Sequence, residues 1–198
     1  MKSAFGVRGI PVGMEERVPA GQYVTPKMPV MNLSYTPRLD LERWSIKVSG
    51  LVEKPQELSW PEFQALDGTA EVVDFHCVTQ WTRLNVAWEG VPVAALLELA
   101  VPTPEARYVM VHGADGYTTN MPLSALQAPQ VLLAHMQDGK PLECAHGFPA
   151  RLVVPALYGW KSAKWVTEIE LMAEERAGFW EMNGYHMRGD PWREERFS

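Results

Sequence analysis

Cys77 is the residue with which a search for chemistry begins. It sits in the stretch His76-Cys77-Val78-Thr79-Gln80-Trp81-Thr82-Arg83, at the end of the apolar run 72–78. A thiolate is a soft metal ligand and a nucleophile, whereas a buried thiol is only a small hydrophobe. The residue types allow all three roles. Arg83 brings a positive charge that would favour the thiolate if the fold places it close. His76 adds a Cys/His option, yet neighbours on a strand point to opposite faces, so the two should not form a side-by-side pair. That weakens both a local metal chelate and a cysteine hydrolase.

A second cluster runs from His146-Gly147-Phe148-Pro149-Ala150-Arg151 to Tyr158-Gly159-Trp160-Lys161-Ser162-Ala163-Lys164-Trp165. Gly147 and Gly159 permit close backbone approach, Ser162 offers a hydroxyl, and Arg151, Lys161 and Lys164 offer charge-assisted donors. Such a set could hold a phosphate while the aromatics bury an organic ring beside it. A plain basic loop is the competing reading. Neither GxxxxGK[ST] nor a strand-adjacent GxGxxG is present, so the nucleotide-loop motifs fail. His112, before the Asp115-Gly116 turn, is either a hydrogen-bonded structural histidine or a group near a site, and His135 is equally open. Cys77 and Cys144 have no zinc-type ligand spacing with these histidines.

The elements that must position these groups read as β-rich. Residues 44–52, 72–78, 108–112, 131–135, 151–155 and 165–172 are strand candidates, the last alternating with a period near two. Short helices are expected over 61–66 after a Ser59 cap, over 92–99 with Pro92 in the first turn, and over 122–126. Asp115-Gly116 and Asp138-Gly139 mark tight turns, the second closing a hairpin. Five prolines in residues 1–40 predict an extended arm. Residues 174–198 mix charge with Phe179, Trp180, Tyr185 and Trp192, which predicts a tail packed on the domain. The expectation is one compact, mixed-sheet α+β domain over residues 1–198.

Composition excludes several classes. With 18 Lys+Arg against 24 Asp+Glu the net charge is -6, which argues against broad nucleic-acid binding. An apolar content of 46% is too high for a disordered chain. Two cysteines make no disulfide framework; a single Cys77–Cys144 bridge stays open, while two separate thiols fit a reducing compartment. No secretory leader or membrane-spanning run is legible, so a cytoplasmic protein is expected.

Four segments then occur in one order: DFHCVTQWTRLNVAWEGVPV, DGYTTNMPL, HGFPARLVVPALYGWKSAKWV and GFWEMNGYHMRGDPWREER. Together they resemble the molybdopterin-dependent sulfite oxidase family, in particular its small bacterial members and the catalytic subunit of protein-methionine-sulfoxide reductase. The resemblance spans most of residues 30–196 and implies a sulfite-oxidase-like molybdopterin-binding domain. It implies molybdenum–molybdopterin as cofactor, with Cys77 as the one protein thiolate on the metal. It implies His146, Arg151, Ser162 and Lys164 as cofactor contacts, the last two at the pterin phosphate, with Lys161 in support and His112 nearby. Trp81 and Arg83 would then be pocket residues.

The implied activity is oxygen-atom transfer to or from a small substrate, a sulfur oxyanion or a sulfoxide, as molybdenum passes between Mo(VI) and Mo(IV). A separate electron carrier is implied, because no haem or iron–sulfur motif is legible. A monomer is expected because the large dimerisation region of sulfite oxidases is not seen. The paired arginines that follow the thiolate in the familiar sulfite oxidase pattern are replaced by Gln80-Trp81-Thr82-Arg83, which leaves an oxyanion site short of donors. Two other classes remain: a non-catalytic molybdopterin-binding or storage module, and a cysteine-dependent hydrolase without molybdenum.

Overall fold

A computed structural model describes residues 9–33 and 35–198. Its backbone is set by one long strand. β5 (Trp81–Pro92) pairs along one edge with β4 (Thr69–His76). Its other edge takes β1 (Tyr23–Val24) in parallel at Trp81 and Thr82. Further along, that edge pairs with β8 (Leu132–Gln137) antiparallel. β9 (Lys140–Pro141) and β10 (Arg151–Val153) complete this sheet by pairing with β8. A second sheet has the order β3 (Gln56–Ser59), β2 (Ser45–Gly50), β11 (Val166–Met172), β6 (Tyr108–Gly113), β7 (Thr118–Pro122). Only β2 and β11 run parallel there.

The short helices follow the punctuation of the sequence. α1 (Trp60–Gln64) starts at Ser59, whose backbone N–H donates to the Glu62 carboxylate at 2.8 Å. α2 (Val93–Ala100) and α3 (Leu123–Leu126) each follow a proline that occupies the cap rather than the first turn. α4 (Phe179–Met182) lies in the tail. Asp138 and Gly139 both take positive φ, 51° and 72°, and close the β8–β9 hairpin as their types predict. Among the described residues no helix is long and apolar enough to cross a membrane.

Three expectations about strands need correction. β5, the longest strand, carried no legible period. Its pairing with β4 is shifted between Val73 and Phe75, opposite a left-handed Asn85 at φ 53°. A bulge of this kind breaks alternation. β7 also lay hidden, in a polar stretch that reads as a loop. The run 72–78 is not uniformly buried: Val72 is 64% exposed, and Cys77 lies just beyond the strand.

Two buried clusters fill the structure. One packs Trp44, Ile46, Leu96, Val109, Leu133, Leu152 and Ile169 among others. The other gathers Phe75, Cys77, Trp81, Val86, Trp88 and Leu132. Both depend on β5 meeting β8 closely at Gly90, where an added Cβ would press on the Leu133 carbonyl and lie 2.5 Å from Ala134 Cα. Backbone cannot swing aside as a side chain can. Gly90→Ala is therefore expected to cost on the order of 1–3 kcal/mol, read as a lower urea midpoint at unchanged slope; an unshifted midpoint would mean the sheet gives at this point.

Candidate functional site

Cys77 is held by a tight hairpin between β4 and β5. Its N–H donates to the Trp81 carbonyl at 2.8 Å, and the Gln80 N–H donates to the Cys77 carbonyl at 3.1 Å. Gln80 takes φ 70°, so Val78, Thr79 and Gln80 form a three-residue loop with a left-handed last member. The side chain of Cys77 is 7% exposed, and its Sγ lies 3.1 Å from Thr79 Oγ1. Burial pushes the thiol up, against the opposing pull of hydrogen bonds from Thr79 and Val78.

Cys77 faces a cleft of about 900 Å³, counting its open mouth. Trp81, His146, Arg151, Ser162 and Lys164 line the same cleft. Glycines make this convergence sterically feasible. At Gly147, φ 114°, a Cβ would lie 2.8 Å from Arg151 Cβ and 3.2 Å from Lys164 Cβ. At Gly159 it would lie 2.5 Å from the Phe75 ring, so only glycine lets the turn Gly159–Lys161 rest against the cysteine hairpin.

The two cations of the cleft have no carboxylate partner among the described residues. Arg151 is buried, donating to the His146 carbonyl at 3.1 Å and the Ser162 carbonyl at 3.2 Å. Its Nε has no partner, and its guanidinium lies over Phe75 and Trp88 at 5.4 and 5.2 Å. Desolvation pushes Arg151 down to about 10. Lys164 donates to Asn32 Oδ1 and to the Ala145 carbonyl at 3.0 Å. Burial, then the charge of Arg151, bring it down to about 7 against the weaker opposing pull of Asp115, which lines the cleft without forming an ion pair. Buried cations lacking an anion are costly, which marks a place where an anion belongs. A soft thiol, an unsatisfied guanidinium and a half-buried ammonium in one cleft therefore fit a sulfur-bound metal carried on a phosphorylated organic cofactor.

His146 lines the cleft with its Nε2 2.9 Å from the Met28 carbonyl. Ser162 Oγ accepts from the Val154 N–H at 3.0 Å, so this hydroxyl also anchors its own loop. Three expected site residues lie elsewhere. Arg83 pairs with Asp138 across the hairpin ends and does not line the cleft. His112 pairs with Glu170 at 3.1 Å on the second sheet. Lys161 is sealed with Glu181 at 2.5 Å and bonds to Asn120 and the Met187 carbonyl. Its ammonium is spent within the fold. His135 packs edge-on against Trp60 and Phe63, outside the cleft.

His76 offers the hydrolase reading no base. His76 Nδ1 lies 3.0 Å from Thr82 Oγ1, and burial holds the imidazole down at about 4. Among the described residues no three His, Cys, Asp or Glu side chains cluster as a metal site, so a zinc set is not formed either. Walls that sequence reasoning missed come from both chain ends: Met28 and Asn32 from the arm, Trp180 and Tyr185 from the tail. The aromatic content of the tail was the one legible signal for them.

Residues 33–180 match the family described as oxidoreductase molybdopterin binding domain. The chain is 45% identical over 183 residues to the uncharacterized oxidoreductase YuiH of Bacillus subtilis, covering 92% of each. It is 34% identical to the protein-methionine-sulfoxide reductase catalytic subunit MsrP of Xanthomonas campestris, over 72% of this chain and 49% of that one. The chain thus spans about half the length of that relative. Among solved structures, the sulfane dehydrogenase SoxCD of Paracoccus pantotrophus aligns with a TM-score of 0.66 and 27% identity, covering 71% of this chain and 41% of that chain. With a family match over well more than half its length, the chain belongs to the molybdopterin-binding oxidoreductases, whose cofactor in the sulfite-oxidase-like group is molybdenum–molybdopterin.

Proposed function

We propose that this oxidoreductase moves an oxygen atom from or to a small neutral organic compound of the sulfoxide type, with Cys77 as the protein ligand to molybdenum. The observation that carries the reading is the convergence of Cys77, Arg151 and Lys164 on one cleft. When bound, the cofactor supplies the two-electron chemistry and accepts or gives the oxygen. Cys77 holds the metal in place and does not attack substrate. Arg151 and Lys164 bind the cofactor's anionic end, with the Ser162 loop beside them. Trp81, Trp160, Trp180 and Tyr185 form the apolar walls that keep water from the reacting region.

The preference for a neutral substrate follows from charge. Once Arg151 and Lys164 serve the cofactor, no further Lys or Arg among the described residues lines the cleft, and Arg83 is committed to Asp138. A sulfur oxyanion would want several such donors. The likeness to a methionine-sulfoxide reductase subunit supports the same class. Relatives named as subunits of larger enzymes support a separate electron-transfer partner. A monomer as the working unit belongs to the same proposal. An exposed free thiol at Cys144 suits a reducing compartment, and cytoplasmic placement belongs to the same reading.

Cys77→Ser exchanges a soft ligand for a poor one at nearly constant size. X-ray absorption on the purified variant should count one molybdenum–sulfur neighbour fewer, and oxo transfer should fall by orders of magnitude. Cys144→Ser should change neither. An unchanged sulfur shell in Cys77→Ser would overturn the ligand assignment.

Lys164→Met should weaken cofactor retention about ten- to a hundredfold, the size of one charge-assisted hydrogen bond. Equilibrium dialysis of the extracted cofactor against folded protein measures it. The same residue sets a pH dependence. With Lys164 near 7 in the folded protein and at its ordinary 10.5 unfolded, the unfolded chain binds more protons between those values. Stability of the cofactor-free protein from this group should therefore rise with pH from about 7 to 10.5. Urea midpoints across that window should climb less steeply in Lys164→Met than in the parent protein.

A further inference from the structure

Behind the cysteine hairpin lies a buried polar chain that the reaction as described does not use. Gln22, Thr82 and His76 are 1%, 0% and 4% exposed, and they come from the arm, β5 and β4. Gln22 Nε2 lies 3.3 Å from the Cys77 carbonyl oxygen. A carbonyl only accepts, so this contact fixes which end of the Gln22 amide faces Cys77. Gln22 Oε1 is then the acceptor that faces Thr82, and the Thr82 hydroxyl donates to it. With its hydrogen committed, Thr82 Oγ1 can only accept at 3.0 Å from His76 Nδ1, which must carry a proton. Every donor points the same way: His76 to Thr82, Thr82 to Gln22, Gln22 to the Cys77 carbonyl.

That carbonyl also accepts the Gln80 N–H that closes the hairpin, so two donors hold the Cys77 peptide. Outside the chain, Trp192 lies edge-on to the His76 ring at 5.7 Å. The arm is secured independently. Tyr23 and Val24 pair with Trp81 and Thr82, and Arg17 bridges Asp74 at 2.6 Å and Asn85 at 2.7 Å. Gln22 is therefore held at the back of the hairpin from both sides.

We propose that Gln22, Thr82 and His76 are positioning residues for Cys77: their one-way chain of donors clamps the Cys77 peptide so that Sγ stays aimed into the cleft. The role in metal ligation rests on the function proposed above; the clamp itself does not. A chain of aligned donors strengthens each link, and breaking the middle one releases the end.

Thr82→Val removes the hydroxyl at nearly constant shape, and Thr82→Ser restores it. In cofactor-free protein carrying Cys144→Ser, the only thiol is Cys77. Its rate of reaction with dithiobis(nitrobenzoate) reports how often the hairpin opens. Thr82→Val should raise that rate about tenfold, the size of one lost net hydrogen bond, and Thr82→Ser should return it to within about twofold of the parent. In loaded protein with a native Thr82, Thr82→Val or Thr82→Ser, the Mo(V) electron paramagnetic resonance signal should shift with valine and return with serine. Equal thiol rates in all three proteins, or serine as fast as valine, would overturn the clamp. A tenfold valine effect in a protein whose Cys77 binds no molybdenum would uphold the clamp and overturn the ligand assignment. If Thr82→Val does not fold, Gln22→Leu breaks the final link from outside the strands and must raise the thiol rate likewise.

Discussion

Burying two positive charges beside one another, with Asp115 at the cleft wall but no carboxylate in ion-pair contact, is the constraint around which this cleft is organised. Arg151 is close enough to lower the affinity of Lys164 for a proton. The fold compensates with carbonyl oxygens from His146, Ser162 and Ala145 and with the faces of Phe75, Trp88 and Trp165. Such partners soften the desolvation cost without cancelling the charge. A carboxylate there would give a more stable empty protein and a poorer receptor for an anion. The site thus keeps local electrostatic strain that a phosphorylated cofactor relieves.

Convergence follows from the same requirement. The thiol comes from the β4–β5 turn, the cations from β10 and the loop before β11, and the walls from both chain ends. No single element could present a soft ligand and two cations from different directions. β5 solves the problem by pairing with β4, β1 and β8 at once, which fixes the cysteine hairpin relative to the arm and to β10. The tail is locked on by Glu181. Its carboxylate takes Lys161, the Trp160 indole N–H at 2.9 Å and the Thr119 hydroxyl at 3.0 Å. This buried pair orders the aromatic wall formed by Trp160, Trp180 and Tyr185.

How far the sequence could be read depended on whether a signal was local. Capped helices and the Asp138-Gly139 hairpin were legible because their determinants lie within a few residues. β5 was not, because its bulge erases the period exactly where Arg83, Leu84 and Asn85 pass β4. Cys77, His146, Arg151, Ser162 and Lys164 were legible through the family resemblance of the segments that carry them, and they do share one cleft. Arg83, His112 and Lys161 share the same chemistry but are spent on Asp138, Glu170 and Glu181. Such long-range partners leave no mark near the residue in sequence.

Lys161 and Lys164 show what decides between a structural and a receptive charge. They are three positions apart, in a turn where each could face the cleft. Lys161 is fully buried against a carboxylate of the tail, and removing either partner would strand the other. Lys164 hydrogen-bonds only to neutral oxygens and keeps its charge available, at the cost of a proton affinity lowered to about 7. An ammonium with a fixed counter-charge is blind to ligand, whereas one without it is destabilising until an anion arrives. The tail, by supplying Glu181 to one lysine and no carboxylate to the other, thereby separates the residue that builds the wall from the residue that receives the cofactor.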